Sequence, residues 1–244
     1  MLRMYYMIIT HFFVGLYYIL MLEYIDKHLD RYNLLSRYEF CVKAVRRANR
    51  VGRITVRVTG TENLPAAGGY LMVANHQGRY DALAFFSSHE KPFSFVVDEG
   101  RSHAAYTGQF CRLLDGVRLF KDDLRESLKA LKEISRRIDG GMKYLIFPEG
   151  GYDDNRNTVM PFKPGAFKAA TYVNAPIVPV ALVDTYKVFG INSLRRVEVQ
   201  IHYLPPLYYE DYAGMNTTQI AAVCRERIIE SVNGSLALPA AKEA

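Results

Sequence analysis

The sequence predicts an α/β domain with a mainly parallel central sheet flanked by helices, preceded by an N-terminal helical segment that associates with a membrane. Three observations carry this. From Ile54 onward, short apolar runs alternate with longer stretches of helical period, the pattern of a parallel sheet covered on both faces. Two of those runs end in polar turns, one holding His76 and the other Glu149, and in such sheets ligands collect at the carboxyl ends of strands. Before Ile54 the chain has a different character, apolar first and basic afterwards. The 244 residues divide into an accessory segment, 1–53, and one large domain, 54–244. Hydrophobic residues make up 50% and charged residues 23%, the balance of a folded core rather than of a disordered chain.

Met4 to Leu22 is a run of 19 residues without Asp, Glu, Lys or Arg. As one helix it is about 28 Å long, close to the ~30 Å hydrocarbon core of a bilayer. Tyr5, Tyr6, Tyr17 and Tyr18 favour the headgroup boundary, so the run spans the bilayer or lies within one leaflet; a core helix is the soluble alternative. Arg3 gives only a thin basic start and no small-residue cleavage site follows, which disfavours a signal peptide. Leu34 to Arg53 interleaves Arg37, Lys43, Arg46, Arg47, Arg50 and Arg53 with Leu35, Tyr38, Val42 and Val45 at helical spacing. That is a basic amphipathic helix on an anionic surface, or an ordinary solvated face. If the first run spans, the positive flank puts the remainder in the cytoplasm.

Ile54 to Val58 alternates as a half-buried strand, and Pro65 to Gly69 turns the chain into the apolar run that begins at Tyr70. A helix opens near Asp81 with Ala82 to Phe86 as its packed face. Phe93 to Val97 is a strand, His103 to Leu113 is helical, and Val117 to Phe120 is a short strand. Leu124, Leu128, Leu131, Ile134 and Ile138 then form one apolar stripe, with Arg125, Lys129, Lys132 and Arg136 largely on other faces, and Gly140-Gly141 ends that helix. Lys143 to Phe147 is a strand and Pro164 to Val173 a helix with proline in its first turn. Ile177 to Val183 and Val197 to Tyr203 are strands, the second alternating, and Thr217 to Val232 is a terminal helix.

The chemistry concentrates at the strand ends. His76 and Asp81 are five apart, about 140° around an ideal helix, so they meet only if the chain passes there from strand to helix through a turn. Such a turn supplies a histidine base with an orienting carboxylate; the alternative is a helix cap or a surface pair. Arg118, Lys121 and Arg125 follow another strand and either grip a phosphate or form a solvated basic edge. Glu149, fixed between Pro148 and Gly150 after a buried strand, either orients a reacting group or belongs to a plain turn. Lys163, just before Pro164-Gly165, is a further candidate phosphate contact.

Other classes are disfavoured. Cys41, Cys111 and Cys224 are scattered and odd in number, which fits a reducing cytosol and neither a disulfide framework nor a metal site. The six histidines occur singly, without a His-Glu-x-x-His or Cys-x-x-Cys pattern, and no serine sits in Gly-x-Ser-x-Gly. A formal charge of +6 suits anionic lipid or an anionic substrate, and without a dense basic run nucleic acid is the weaker partner.

Four stretches in this order resemble the glycerolipid acyltransferases of the bacterial 1-acylglycerol-3-phosphate acyltransferase type: Asn75-His76 with Asp81, the Leu114 to Arg125 block, Phe147-Pro148-Glu149-Gly150, and Ala175-Pro176-Ile177-Val178-Pro179-Val180. The resemblance spans roughly Ile54 to Tyr203 and implies a membrane-associated enzyme of phospholipid synthesis. It gives His76 the role of general base toward a glycerol hydroxyl and Asp81 that of holding the imidazole tautomer. The acceptor phosphate falls to Lys121 with Arg118 and Arg125 nearby, and Glu149 and Gly150 shape the acceptor pocket, with Gly78 and Arg79 lying in the histidine turn. The implied donor is acyl-coenzyme A or acyl carrier protein, and no metal or redox cofactor is required. Three positions depart from the family pattern: Gly78 replaces a serine, Lys121 an arginine, and Gly151-Tyr152 a Thr-Arg pair. Another lysolipid, alcohol or amine acceptor is the alternative within the class. A thioesterase-like hydrolase and a non-catalytic membrane lipid-binding protein are the alternatives outside it.

Overall fold

A computed structural model describes residues 2–102, 107–120 and 123–237. The chain begins with α1 (Leu2–Thr10), α2 (Phe12–Lys27) and α3 (Leu34–Val51). It continues through β1 (Ile54–Thr59), β2 (Tyr70–Ala74), α4 (Asp81–Ser88), β3 (Phe93–Asp98), α5 (Glu99–Ser102), α6 (Thr107–Leu113) and β4 (Val117–Leu119). Then come α7 (Leu124–Asp139), β5 (Lys143–Ile146), α8 (Lys168–Thr171), β6 (Ile177–Val183), α9 (Lys187–Gly190), β7 (Val197–Tyr203), α10 (Tyr209–Tyr212) and α11 (Thr217–Ala237). The first part of the expected His103–Leu113 helix, residues 103–106, lies outside the described residues.

The seven strands form one sheet in the order β1-β7-β6-β2-β5-β3-β4. Every neighbouring pair is parallel except β6 and β7, which pair antiparallel through Leu182 and Ile201. The sheet is therefore mainly parallel, with β1 and β7 reversed as a block. Their side chains explain this: β7 alternates buried and half-buried residues along its length, whereas β2 and β6 are buried throughout. A strand covered on one face tolerates antiparallel placement, whereas central parallel strands need cover on both.

Helices cover the two faces. Tyr38, Val45, Phe85 and Leu114, from α3, α4 and the turn after α6, pack with Met72, Val180 and Ile201 on one side. Leu131, Ile134, Ala169 and Ile228, from α7, α8 and α11, pack with Val73, Ile146 and Val183 on the other. Leu22 and Ile25 of α2 join the first cluster, so the N-terminal helices share the α3 side of the sheet.

Two expected helices take a different form. The charge-free run Met4 to Leu22 is not one helix: α1 and α2 meet at a bend of 92° beside His11, and among the described residues no single helix is long and apolar enough to cross a membrane. The stretch after Pro164 is a 3₁₀ turn, Pro164–Phe167, followed by the single turn α8. Elsewhere the expected elements stand within a few residues of their places, α3 being capped by Asn33, whose side chain accepts from the Ser36 N–H at 2.8 Å.

Candidate active site

The site begins where β2 runs out of ladder. Beyond Ala74 the Asn75 side chain takes over the pairing: its amide donates to the Leu182 carbonyl at 2.9 Å and its oxygen accepts from the Leu182 N–H at 2.8 Å. Gln77 is held in the same way, donating to Leu182 O at 2.8 Å and to Asn157 at 2.9 Å while accepting from the Thr185 hydroxyl at 2.8 Å. Two buried amides thus clamp the backbone on either side of His76. The Asn155 side chain adds a bond to the His76 carbonyl at 2.9 Å. Gln77, Asn155 and Asn157 carry no signal in the sequence, because an amide in a polar loop reads the same whether it is solvated or clamped.

The chain then turns from strand to helix, as the spacing of His76 and Asp81 requires. His76 Nδ1 lies 2.6 Å from Asp81 Oδ2, and the aspartate side chain is fully buried while the imidazole is 16% exposed. The same Oδ2 accepts from the N–H groups of Gln77 and Gly78, the latter at 2.8 Å. Asp81 therefore closes the turn and orients the ring together, so the cap and the dyad are one arrangement. Its place at the first residue of α4 also sets the carboxylate against the positive end of that helix. Asp81 takes the Nδ1 side of the ring, so Nε2 is the nitrogen left for another partner.

Aromatic rings enclose the imidazole. Phe147 stacks on it at 4.3 Å with an interplanar angle of 17°, and Tyr152 meets it edge-on at 4.5 Å. Tyr152, which stands where the related pattern has an arginine, thus packs against His76.

Glu149 comes from the end of β5, the neighbour of β2. Its Oε1 accepts from the backbone N–H groups of His76 at 3.2 Å and Met160 at 3.3 Å, and its Oε2 is buried without a partner among the described residues. Burial pushes the carboxyl up to about 7, against the lowering effect of the two backbone bonds. Gly150 follows at φ +74°, and a Cβ there would come within 2.6 Å of the Lys163 Nζ. The Lys163 side chain therefore lies across the Glu149-Gly150 turn, and its backbone N–H is tied to Pro148 O at 2.9 Å.

The structure brings His76, Gly78, Asp81, Glu149, Gly150 and Lys163 together. Gly78 serves through its N–H, and a Cβ there would meet the Tyr186 Cα at 3.6 Å, an ordinary van der Waals contact. Arg79 is an exposed residue of the same turn. Arg118 lies on β4 with its guanidinium beside the Cys111 thiol, three strand spacings or about 14 Å from β2 along the same sheet edge. Arg125 is exposed on α7, and Lys121 lies outside the described residues. Among the described residues no group of three or more His, Cys, Asp or Glu side chains is placed to hold a metal ion.

A model of a family described as "Acyltransferase" matches residues 55–183, just over half of the chain. The chain belongs to the acyltransferase family. The match runs from β1 to the end of β6 and so contains both the His76 turn and the Glu149 turn. Among similar acyltransferases, the 1-acyl-sn-glycerol-3-phosphate acyltransferase of Escherichia coli is 28% identical over 163 residues, which cover 65% of this chain and 64% of that one. The alpha form of Homo sapiens is 26% identical over 158 residues, covering 63% of this chain and 55% of the human one. The chain thus spans less than two thirds of the length of these curated relatives. The crystal structure of the 1-acyl-sn-glycerophosphate (LPA) acyltransferase PlsC from Thermotoga maritima shares the fold, with a TM-score of 0.72 over 98% of this chain and 96% of that one at 22% identity.

Proposed function

We propose that this chain transfers a fatty acyl group from an acyl thioester, on coenzyme A or acyl carrier protein, to the free hydroxyl of 1-acylglycerol-3-phosphate, giving phosphatidic acid. The observation that carries the reading is the 2.6 Å contact between His76 and a fully buried Asp81. His76 Nε2 takes the hydroxyl proton as that oxygen attacks the thioester carbonyl. A C–O bond forms, the C–S bond breaks, and the imidazolium returns its proton to the departing thiolate. Asp81 holds the tautomer and stabilises the imidazolium. Transfer between a thioester and an alcohol balances with one proton shuttled, so the reaction calls for no metal or redox cofactor.

Glu149 anchors the backbone of His76 to the acceptor side of the site, and Lys163 across Gly150 is a cation suited to the acceptor phosphate. Arg118 offers a second basic group at the far end of the sheet edge. Both lipids reside in a bilayer, and we assign the protein to the cytoplasmic face of the cell membrane. Ile9, 76% exposed, and Phe13, 83% exposed, support contact with lipid through α1 and α2.

The test is acyl transfer from labelled acyl-coenzyme A to lysophosphatidic acid with detergent-solubilised protein. His76→Ala and Asp81→Asn are expected to lower the rate by about 10²–10⁴-fold with the fold retained. Wild-type rates in both variants would sink the mechanism. Free fatty acid as the sole product would identify a hydrolase instead.

A further inference from the structure

The stripe of α7 does not behave as one stripe. Leu131, Ile134 and Ile138 are buried against the sheet, yet Leu124, on the same side of the helix, is 76% exposed, and Leu128 is only half-buried. The first two turns of α7 carry apolar side chains that the fold leaves uncovered. Beside them run Arg125, Lys129 and Lys132, all exposed and spaced i, i+4, i+7. These five residues line an open groove of about 470 Å³. Lys129 is paired with Glu126 at 2.6 Å, whereas among the described residues no carboxylate lies within ion-pair distance of Arg125 or Lys132. An apolar floor with a cationic rim is complementary to an acidic protein surface that presents one or two apolar side chains.

Two facts about position narrow the occupant. First, α7 packs on the sheet face opposite to α1, α2 and α3, so a bilayer met by the exposed apolar residues of α1 and α2 lies on the other side of the molecule. A soluble partner therefore fits this groove better than lipid does. Second, α7 begins just after β4, whose carboxyl end shares the sheet edge with His76 at a lateral distance of about 14 Å. A phosphopantetheine arm is about as long as six extended residues, or ~20 Å, which exceeds this separation of β4 from β2. We propose that the Leu124–Lys132 face of α7 docks an acidic carrier protein that delivers the acyl thioester to His76 on such an arm. The proposal rests on the reading of the site as an acyltransferase with a thioester donor, and it adds where the donor's protein is held.

The experiment compares one acyl chain loaded on acyl carrier protein and on coenzyme A, using the full chain and the double variant Lys129→Glu, Lys132→Glu. The expected result is a KM for the carrier-bound donor raised tenfold or more, with acyl-coenzyme A kinetics unchanged. The unchanged coenzyme A rate also reports that the variant is folded. Equal losses with both donors, no change with either, or a wild type that uses only acyl-coenzyme A would each overturn the docking site while leaving the acyltransferase reading intact. Failure of the wild type with both donors would overturn the reading itself.

Discussion

At Glu149 a single carboxyl does two things that pull against each other. Its Oε1 fixes the backbone of His76, while burial of the group raises its pKa from 4.5 to about 7. An acid whose folded pKa is raised takes up a proton on folding between those two values. The stability it contributes is fully present below about 4.5 and fades as pH rises through about 7. Glu149→Gln keeps the shape and stays neutral, with its oxygen able to accept from His76 and Met160. The variant is therefore expected to gain on the wild type between these pH values and to hold a constant margin above them. We expect a margin of about 1–2 kcal/mol, less than the full shift implies because solvent reaches part of the group. Urea unfolding at several pH values measures it, and a pH-independent difference would contradict the burial argument.

At the scale of the element, the one buried residue of α1 is Arg3. Arg3 is 2% exposed and donates to three carbonyls from separate segments: Val188 at 3.2 Å, Arg195 at 2.8 Å, and Gly52. Arg3→Ala leaves the Val188 and Gly52 carbonyls buried and unpaired, a loss of about 2–4 kcal/mol. The expected signature is local. Amide protection in α1 collapses while that of β2 and β6 persists, as hydrogen exchange would show; unchanged protection of α1 would remove the pin from the account. The sequence presents Arg3 only as a sparse basic start, because burial of a charge depends on carbonyls that arrive from residues far along the chain. The break at His11 is invisible for a related reason: a charge-free run has the same composition bent or straight. The reversal of β1 and β7 was not read from the sequence, although both carry the one-sided alternation that antiparallel strands permit. The His76–Asp81 turn was the most legible feature, because a five-residue spacing admits one geometry once the flanking strand and helix are placed. The packing of Tyr152 on His76 was not, for no local pattern says which way a loop tyrosine points.

The whole molecule is two-sided, and that asymmetry yields the last expectation. On the α3 side, α1 and α2 meet at 92° and leave Ile9 and Phe13 almost fully exposed, with Tyr17 and Leu20 also uncovered. On the opposite side α7 presents a basic stripe, and the sheet edge bearing His76 lies between the two layers. In the membrane contact proposed for these two helices, apolar burial rather than charge supplies most of the free energy. Each of Ile9 and Phe13 is worth roughly 1.5–3 kcal/mol on full burial. The double variant Ile9→Asp, Phe13→Asp should therefore partition onto liposomes at least ~100-fold less than the wild type. Activity toward detergent-dispersed substrates should be unchanged, since neither residue belongs to the His76 site. High salt should not release the wild type, because screening weakens charges and leaves apolar burial intact. Flotation on a density gradient reads both results. Release of the wild type by salt alone would transfer the attachment to the basic residues of α3 and leave the exposed rings of α1 and α2 without a membrane role.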